Sequence, residues 1–442
     1  MGEAMRFSPY GRASQRPAPV NAMMAAFAAD FREECDINLG VGYVDERTIP
    51  RDWIGEAVEA VLSQPSRYRL ALNYGGPRGS ANLVESIRRL HCEVVKDGLT
   101  PAVLDDREVI VGASGATSLL EGVARVLEPG IVFTADPTYY IYCHFLERYG
   151  YEVIAVPEDD QGLRTDLLEA RLASLGSRRR EVAFVYVVSV SNPTSTILSN
   201  QRRRELVRIV TALSASLGRE VPLLVDRAYE LLVHDPDVGR LESALLHDEA
   251  GVVYEVGTLS KILAPALRIG YLMGAGGPLC AALVQRTCDL GFSAPLLNQE
   301  VASHLLDHHG REQLDRVRQG YRCKAVQTRA WIERELGGAV HECRGGQAGL
   351  YYYLTFAGVE TGEDSAFFRY LARTTGRPEV DGPPCARAPR VVYIPGSFCV
   401  HPRGEMVAEG RRQLRLSYGF EEPERIHRAL RLMREASRFA AA

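Results

Sequence analysis

Residues 181–196 read EVAFVYVVSVSNPTST. The run VAFVYVV is apolar, rich in β-branched and aromatic residues, and stops abruptly at small polar residues and an Asn-Pro turn. An unbroken apolar run of this length suits a strand buried on both faces, as in a parallel sheet covered by helices. Six further runs share its character: EVIVGA (108–113), IVFTA (131–135), EVIAVP (152–157), PLLVD (222–226), VVYEVG (252–257) and LRIGYLMG (267–274). Helix-length or turn-bounded stretches separate them, which predicts a mostly parallel α/β sheet. In such sheets ligands bind in the crevice at the carboxyl ends of the strands. Polar residues directly after a strand therefore become the candidates for function.

Beyond residue 292 the rhythm changes. A charged helical pattern over roughly 311–336 leads to GLYYYLTF (349–356), a helix near 364–374, the runs VVYIPG and LRLSYG, and a closing helix from about 423. This predicts a smaller α+β domain. The first 35 residues read as an arm. Residues 372–390, rich in Pro, Gly and Arg, read as a flexible loop.

With 442 residues, 46% of them hydrophobic, the chain can bury a large core. A formal charge of −4 without a block of like charges gives no electrostatic reason to expect nucleic acid or an anionic membrane as partner. The triple arginines at 178–180 and 202–204 read as helix caps or solvated faces. The start lacks a secretory core, and no apolar run approaches the roughly 18 residues of a membrane span. Nine cysteines without a C-x-x-C fit a reduced, cytoplasmic interior and no zinc site. His308–His309 has no companion at ligand spacing and reads as an exposed helix end, so no metal is expected.

The strand ends carry a varied set of side chains. In VGASGATSLLEGV (111–123) a helix starting near Thr117 would offer N–H groups and a hydroxyl to a phosphate; tight strand-to-helix turns also use glycine for steric reasons. DPTYYIY (136–142) places Tyr139 at the sheet edge, where it could stack on a planar ligand, while Tyr140 and Tyr142 read equally well as packing. Asn192 stands at the lip after 181–190, as a donor or as an ordinary turn residue. Asp226 ends an apolar strand, where a buried carboxylate needs a cation: either Arg227 or a protonated ring nitrogen of a ligand. Only three lysines occur, Lys96, Lys261 and Lys324. Lys261, in GTLSKILAPALRIGY (257–271), can act as an amine nucleophile where an arginine could not. Arg415, on the strand LRLSYG, suits a carboxylate. Anion cradle, stacking ring, amide, carboxylate, amine and arginine fork together fit pyridoxal 5′-phosphate: a Schiff base at lysine, a carboxylate at the ring nitrogen, and a ring that stores electrons.

The order of TLSK with APALRIGYL, NPT, D-x-A-Y and LRLS, together with LNYGGPRGSANLVESIRRLH (72–91) and NLGVGY (38–43), resembles the class I/II aminotransferases, pyridoxal-phosphate enzymes of fold type I, from about 37 to 438. The resemblance implies a large domain (61–310) with a mostly parallel seven-stranded sheet, a smaller α+β domain (37–60 and 311–442) and an arm (1–36). It implies that Lys261 holds the cofactor and shuttles a proton, Asp226 faces the ring nitrogen, and Asn192 and Tyr229 reach the phenolic oxygen. Tyr139 would stack. Gly115, Ala116, Thr117, Thr258, Ser260 and Arg268 would hold the phosphate, with Tyr74 from a second subunit of a homodimer. Arg415, Gly40 and Asn192 would bind the amino-acid substrate, whose side chain Arg47, Arg78 or Tyr43 could approach; each of these has a structural reading too. Two positions depart from the pattern: Ser195 replaces the usual glycine after NPT, and Arg227 stands where an acidic residue is common. The segment before Lys261 and GGQAGLYYYLTF (345–356) look most like the 2-aminoadipate aminotransferase and MocR-effector subgroup. MocR-type regulators carry a DNA-binding domain ahead of this module, and with fewer than 40 residues before the match none is expected here. Three activities follow as expectations: transfer of an amino group to a 2-oxo acid; elimination, substitution or cyclisation at the same site, for example on S-adenosylmethionine; or cofactor sensing without catalysis.

Overall fold

Alternation along the run at 182–188 divides the molecule into two packed layers. Phe184, Tyr186 and Val188 face one apolar cluster, and Val185 and Val187 face the other, as the two-residue period of a strand requires. The computed structural model describes residues 5–383 and 386–442. Its main sheet contains β1 (Arg107–Val111), β2 (Ile131–Asp136), β3 (Glu152–Asp159), β4 (Gly162–Leu163), β5 (Val182–Val188), β6 (Leu223–Asp226), β7 (Val253–Thr258) and β8 (Gly270–Ala275), in the order β1-β8-β7-β6-β5-β2-β3-β4. The pairs β2–β3, β2–β5, β5–β6 and β6–β7 are parallel. β8 runs antiparallel between β1 and β7. All seven apolar runs are strands. The eighth, β4, is a two-residue return onto β3, too short to leave a periodic signal.

The smaller sheet contains β9 (Val340–Gly345), β10 (Tyr351–Phe356), β11 (Ile394–Pro395) and β12 (Gln413–Ser417), antiparallel in the order β9-β10-β12-β11. A helix at Leu296–Glu335 joins the two regions. It begins well before the expected 311, crosses the expected boundary at 310, and packs on the helices Arg51–Ser63, Ala81–Arg89 and Pro423–Ala441. His308 and His309 lie inside this helix rather than at its end, and the His309 ring stacks on Trp53 with centroids 4.3 Å apart.

Two other expectations change. Arg203 is fully buried, not solvated, because it lies on the inward side of the helix Asn200–Leu217 and meets Glu230 at 3.0 Å. The stretch at 372–390 is tied at both ends: Arg373 donates to the Pro389 carbonyl (2.8 Å), and buried Arg390 bonds Asp36 and Asp30. Residues 384–385 within it lie outside the described residues. The arm forms the helices Pro9–Ala13 and Pro19–Ala28, the second anchored by buried Met23 and Phe27, and Ile37–Asn38 then pairs with Val391–Val392. No helix among the described residues is long and apolar enough to cross a membrane.

Candidate active site

Strand alternation settles which of two neighbours faces the crevice. Asp226 and Arg227 are consecutive at the end of β6, so their side chains leave the sheet on opposite faces. Arg227 turns away, to Asp97 (2.6 Å), Glu230 (2.7 Å) and Glu255. Asp226 stays on the Tyr186 face, buried at 5% exposure, accepting hydrogen bonds from the Tyr186 hydroxyl (3.0 Å) and the Ala228 N–H (2.9 Å). It makes no ion pair among the described residues. Burial raises its carboxyl to about 6, against the pull of those two bonds. A ligand offering a protonated nitrogen would supply the missing cation. The salt bridge to Arg227 considered from sequence does not form.

Lys261 follows β7. Its Nζ donates to the Gly42 carbonyl (2.9 Å) and lies 5.3 Å from the Tyr229 ring centroid. Desolvation first, then the charges of Arg415 and Arg268, lower its pKa to about 8. Since only the neutral amine attacks an aldehyde, cofactor capture by the free protein should speed up about tenfold per pH unit below 8 and level off above it. Stopped-flow absorption across pH 6–10 checks this; a flat profile would contradict a lowered amine at this position.

The helix Gly115–Val126 opens beside the lysine loop. Its N-cap Ser114 makes no side-chain capping bond, and the Gly115 N–H donates to the Arg268 carbonyl (2.7 Å), so the first-turn N–H groups left for a ligand are those of Ala116 and Thr117. Gly115 has φ +65°, and a Cβ there would meet an Arg268 terminal nitrogen at 2.8 Å; one on Gly270 would lie 2.1 Å from the Ala116 nitrogen. Only glycine lets the arginine turn and the helix start approach this closely. Thr258 and Ser260 are buried and bonded to each other (3.0 Å), whereas Thr117 and Arg268 are exposed at the same spot.

On the other side Arg415 donates to Asn192 Oδ1 (2.7 Å) and to the Gly40 carbonyl (2.5 Å), and its guanidinium sits 4.2 Å from the Tyr351 ring centroid. Tyr351 in turn shares a 2.7 Å hydrogen bond with the Tyr229 hydroxyl. Ser195 holds φ +56°, a conformation that favours glycine, and leaves the turn around Asn192 intact.

These groups line two adjoining cavities. One of about 180 Å³ is bounded by Ala116, Thr117, Tyr139, Asn192, Asp226, Tyr229, Thr258, Ser260, Lys261 and Arg268. The other, about 930 Å³, shares Tyr139, Asn192, Tyr229 and Lys261 and adds Gly40, Tyr43 and Arg415. Of the residues singled out from sequence, Tyr74 stays apart, 75% exposed against Phe292. Arg47 pairs with Asp45 and Glu422, and Arg78 with Glu108, away from both cavities. Sequence reasoning missed Tyr186, Gly42, Tyr351 and the helix Pro19–Ala28. Tyr186 shares its strand face with Val188, the register partner of Asp226, so register would have found it. Nothing local marks the other three.

The profile of the family described as aminotransferase class I and II matches residues 36–381. The chain is 26% identical over 322 residues to the uncharacterized HTH-type transcriptional regulator YisV of Bacillus subtilis, covering 72% of this chain and 62% of that protein. It is 29% identical over 294 residues to the 2-aminoadipate transaminase of Thermus thermophilus, covering 65% and 67%. The alignments span between about half and two thirds of such relatives. In structure it is similar to the kynurenine aminotransferase of Pyrococcus horikoshii, with TM-score 0.81 and 21% identity over 98% of this chain and 96% of that one.

Proposed function

The chain belongs to the class I and II aminotransferases, and from that premise we propose that it is a pyridoxal-phosphate enzyme that moves the α-amino group of an amino acid to a 2-oxo acid. The observation that carries this reading is the buried, cation-free carboxylate of Asp226 in a cavity shared with the Lys261 amine. The residues fit the cofactor: a carboxylate for a pyridinium nitrogen, an amine for an aldehyde, and a helix start with Arg268 for a phosphate. Pyridoxal phosphate, when bound, supplies an aldehyde that condenses with amines and a ring that draws electrons from the substrate's α-carbon.

Asp226 would keep the ring nitrogen protonated, gaining the cation it lacks. Lys261 Nζ would hold the cofactor, then carry the proton at the α-carbon, a role suited to an amine poised near neutrality. Asn192 and Tyr229 would bond the phenolic oxygen, with Tyr139 beside the ring. Gly115, Ala116, Thr117, Thr258, Ser260 and Arg268 would take the phosphate. Arg415 would exchange the Gly40 carbonyl for the substrate carboxylate, with Asn192 still bonded to it. Because Arg227 faces away, its departure from the family pattern leaves the charge at the ring unchanged and does not count against transfer. Tyr74, with exposed Phe292, Leu70 and Leu72 near it in sequence or contact, suits a homodimer in which it reaches the partner's phosphate; sedimentation as an active monomer would overturn that.

The test mixes the cofactor-loaded protein with single amino acids and no 2-oxo acid. Loss of the visible band with stoichiometric release of the matching 2-oxo acid, read by mass spectrometry, is expected. Consumption of S-adenosylmethionine with no oxo acid from any amino acid would refute transfer in favour of elimination or cyclisation. The similarity to HTH-type regulators favours a second reading, a ligand-sensing module, which would show spectral change without released product.

A further inference from the structure

The larger cavity has an apolar wall that the chemistry above does not use. The helix Pro19–Ala28 lines it with Val20, Met24, Ala25 and Ala28, a spacing that places all four on one side, and with one uncharged polar residue, Asn21. Ile141, Ile394 and Phe398 line the same cavity, together with exposed Tyr43. Met24 is tied to the reactive end: a Cβ on Gly40 would lie 3.2 Å from its sulfur, and the Gly40 carbonyl is the one that Arg415 grips. The wall therefore begins beside Gly40, where the substrate's carboxylate would be held, and lines the same cavity as Lys261.

The charges in this cavity are few. Lys261, Arg415 and Glu33 are its only ionisable Lys, Arg, Asp or Glu side chains among the described residues, and Glu33 is exposed at the rim. Lys261 and Arg415 are both committed under the proposed function. Within this chain, a second carboxylate on the substrate would meet no further cation and would lose its hydration without compensation. Arg47 and Arg78, which the sequence offers for that task, are paired elsewhere.

We propose that this cavity selects amino acids with a large, uncharged apolar side chain, aromatic ones included, and rejects dicarboxylic amino acids. The inference rests on the transaminase reading for its substrate, but it concerns the wall, and Met24 is its specificity-determining residue. Methionine is a flexible, polarizable filler that adapts to rings and aliphatic chains alike.

Two measurements separate this from the reading beneath it. In single-turnover reactions of the cofactor-loaded protein, kcat/KM for phenylalanine or leucine should exceed that for glutamate, aspartate or 2-aminoadipate by about a hundredfold. Met24→Ala should lower the apolar values about tenfold, and Met24→Lys should shift preference towards the dicarboxylic set by at least about tenfold. Independently of turnover, the full chain should bind 3-phenylpropionate more tightly than glutarate by calorimetry. Glutamate reacting as well as phenylalanine, or glutarate binding as tightly, overturns the inference and leaves transamination standing. A better reaction with lysine or S-adenosylmethionine overturns it as well. If no amino acid reacts while 3-phenylpropionate still binds preferentially, transamination falls and the apolar wall stands.

Discussion

Lys261→Arg should leave a folded protein that takes up no colour from pyridoxal phosphate and processes amino acids slower by at least about 10⁴-fold, the upper range for losing one proton-transfer group. Arginine keeps the positive charge and most of the stem, so the cavity's electrostatics and packing change little; what is lost is a nitrogen able to give up its proton. The wild-type amine, lowered to about 8 by desolvation and by its two arginine neighbours, can serve as nucleophile and later as proton carrier. Absorption spectra and single-turnover rates check the loss, with circular dichroism showing retained fold. Borohydride trapping followed by peptide mass analysis supplies the control: a label at Lys96 or Lys324 instead of Lys261 would refute the assignment.

Arg227→Met should cost about 3–5 kcal/mol of stability at neutral pH, the usual penalty for removing one partner from a buried ion cluster. The substitution leaves Asp97, Glu230 and Glu255 buried on one face of the sheet. Asp97 keeps a 2.8 Å contact to His91, and Glu230 keeps Arg203, but among the described residues Glu255 loses its sole charged partner and retains Ser243 and a backbone N–H. Burial pushes the Asp97 and Glu230 carboxyls up, yet the arginines, with His91 at Asp97, hold both well below the ordinary range. Groups lowered in this way stabilise the fold above their unfolded pKa and lose that contribution as pH falls through the folded value. The gap between wild type and Arg227→Met should therefore be widest near neutrality and narrow below about pH 4, where carboxylates of the unfolded chain protonate. Urea melts of the cofactor-free proteins at pH 7 and pH 4 measure this. A loss under about 1 kcal/mol at pH 7 would show that the cluster does not depend on Arg227.

The sheet was legible because each of its long strands is a continuous apolar run, and the reactive groups were legible because they follow those strands directly. Short pairings were not: β4 and Ile37–Asn38 are two residues each, below any periodicity. Arg227 was misjudged for want of applying strand alternation one residue further, since Asp226 and Arg227 cannot share a face. Arg203 looked solvated because a run of three arginines hides which one points inward. The apolar wall was invisible for a different reason: Val20, Met24 and Ala28 carry no chemistry, and only the tertiary placement of their helix gives them a task.

That placement has a consequence for how the protein can change. The bond-making groups hang from strand ends between residues 107 and 275 and from β12, while the wall comes from a short amino-terminal segment that reaches the same opening from outside the sheet. If the wall selects as proposed, a large part of substrate preference is carried on a stretch of chain separate from the reactive groups, with Ile141, Ile394 and Phe398 completing the pocket. New tastes could then arise by rewriting the ten residues of the helix Pro19–Ala28, with Lys261, Asp226 and Arg415 left as they are.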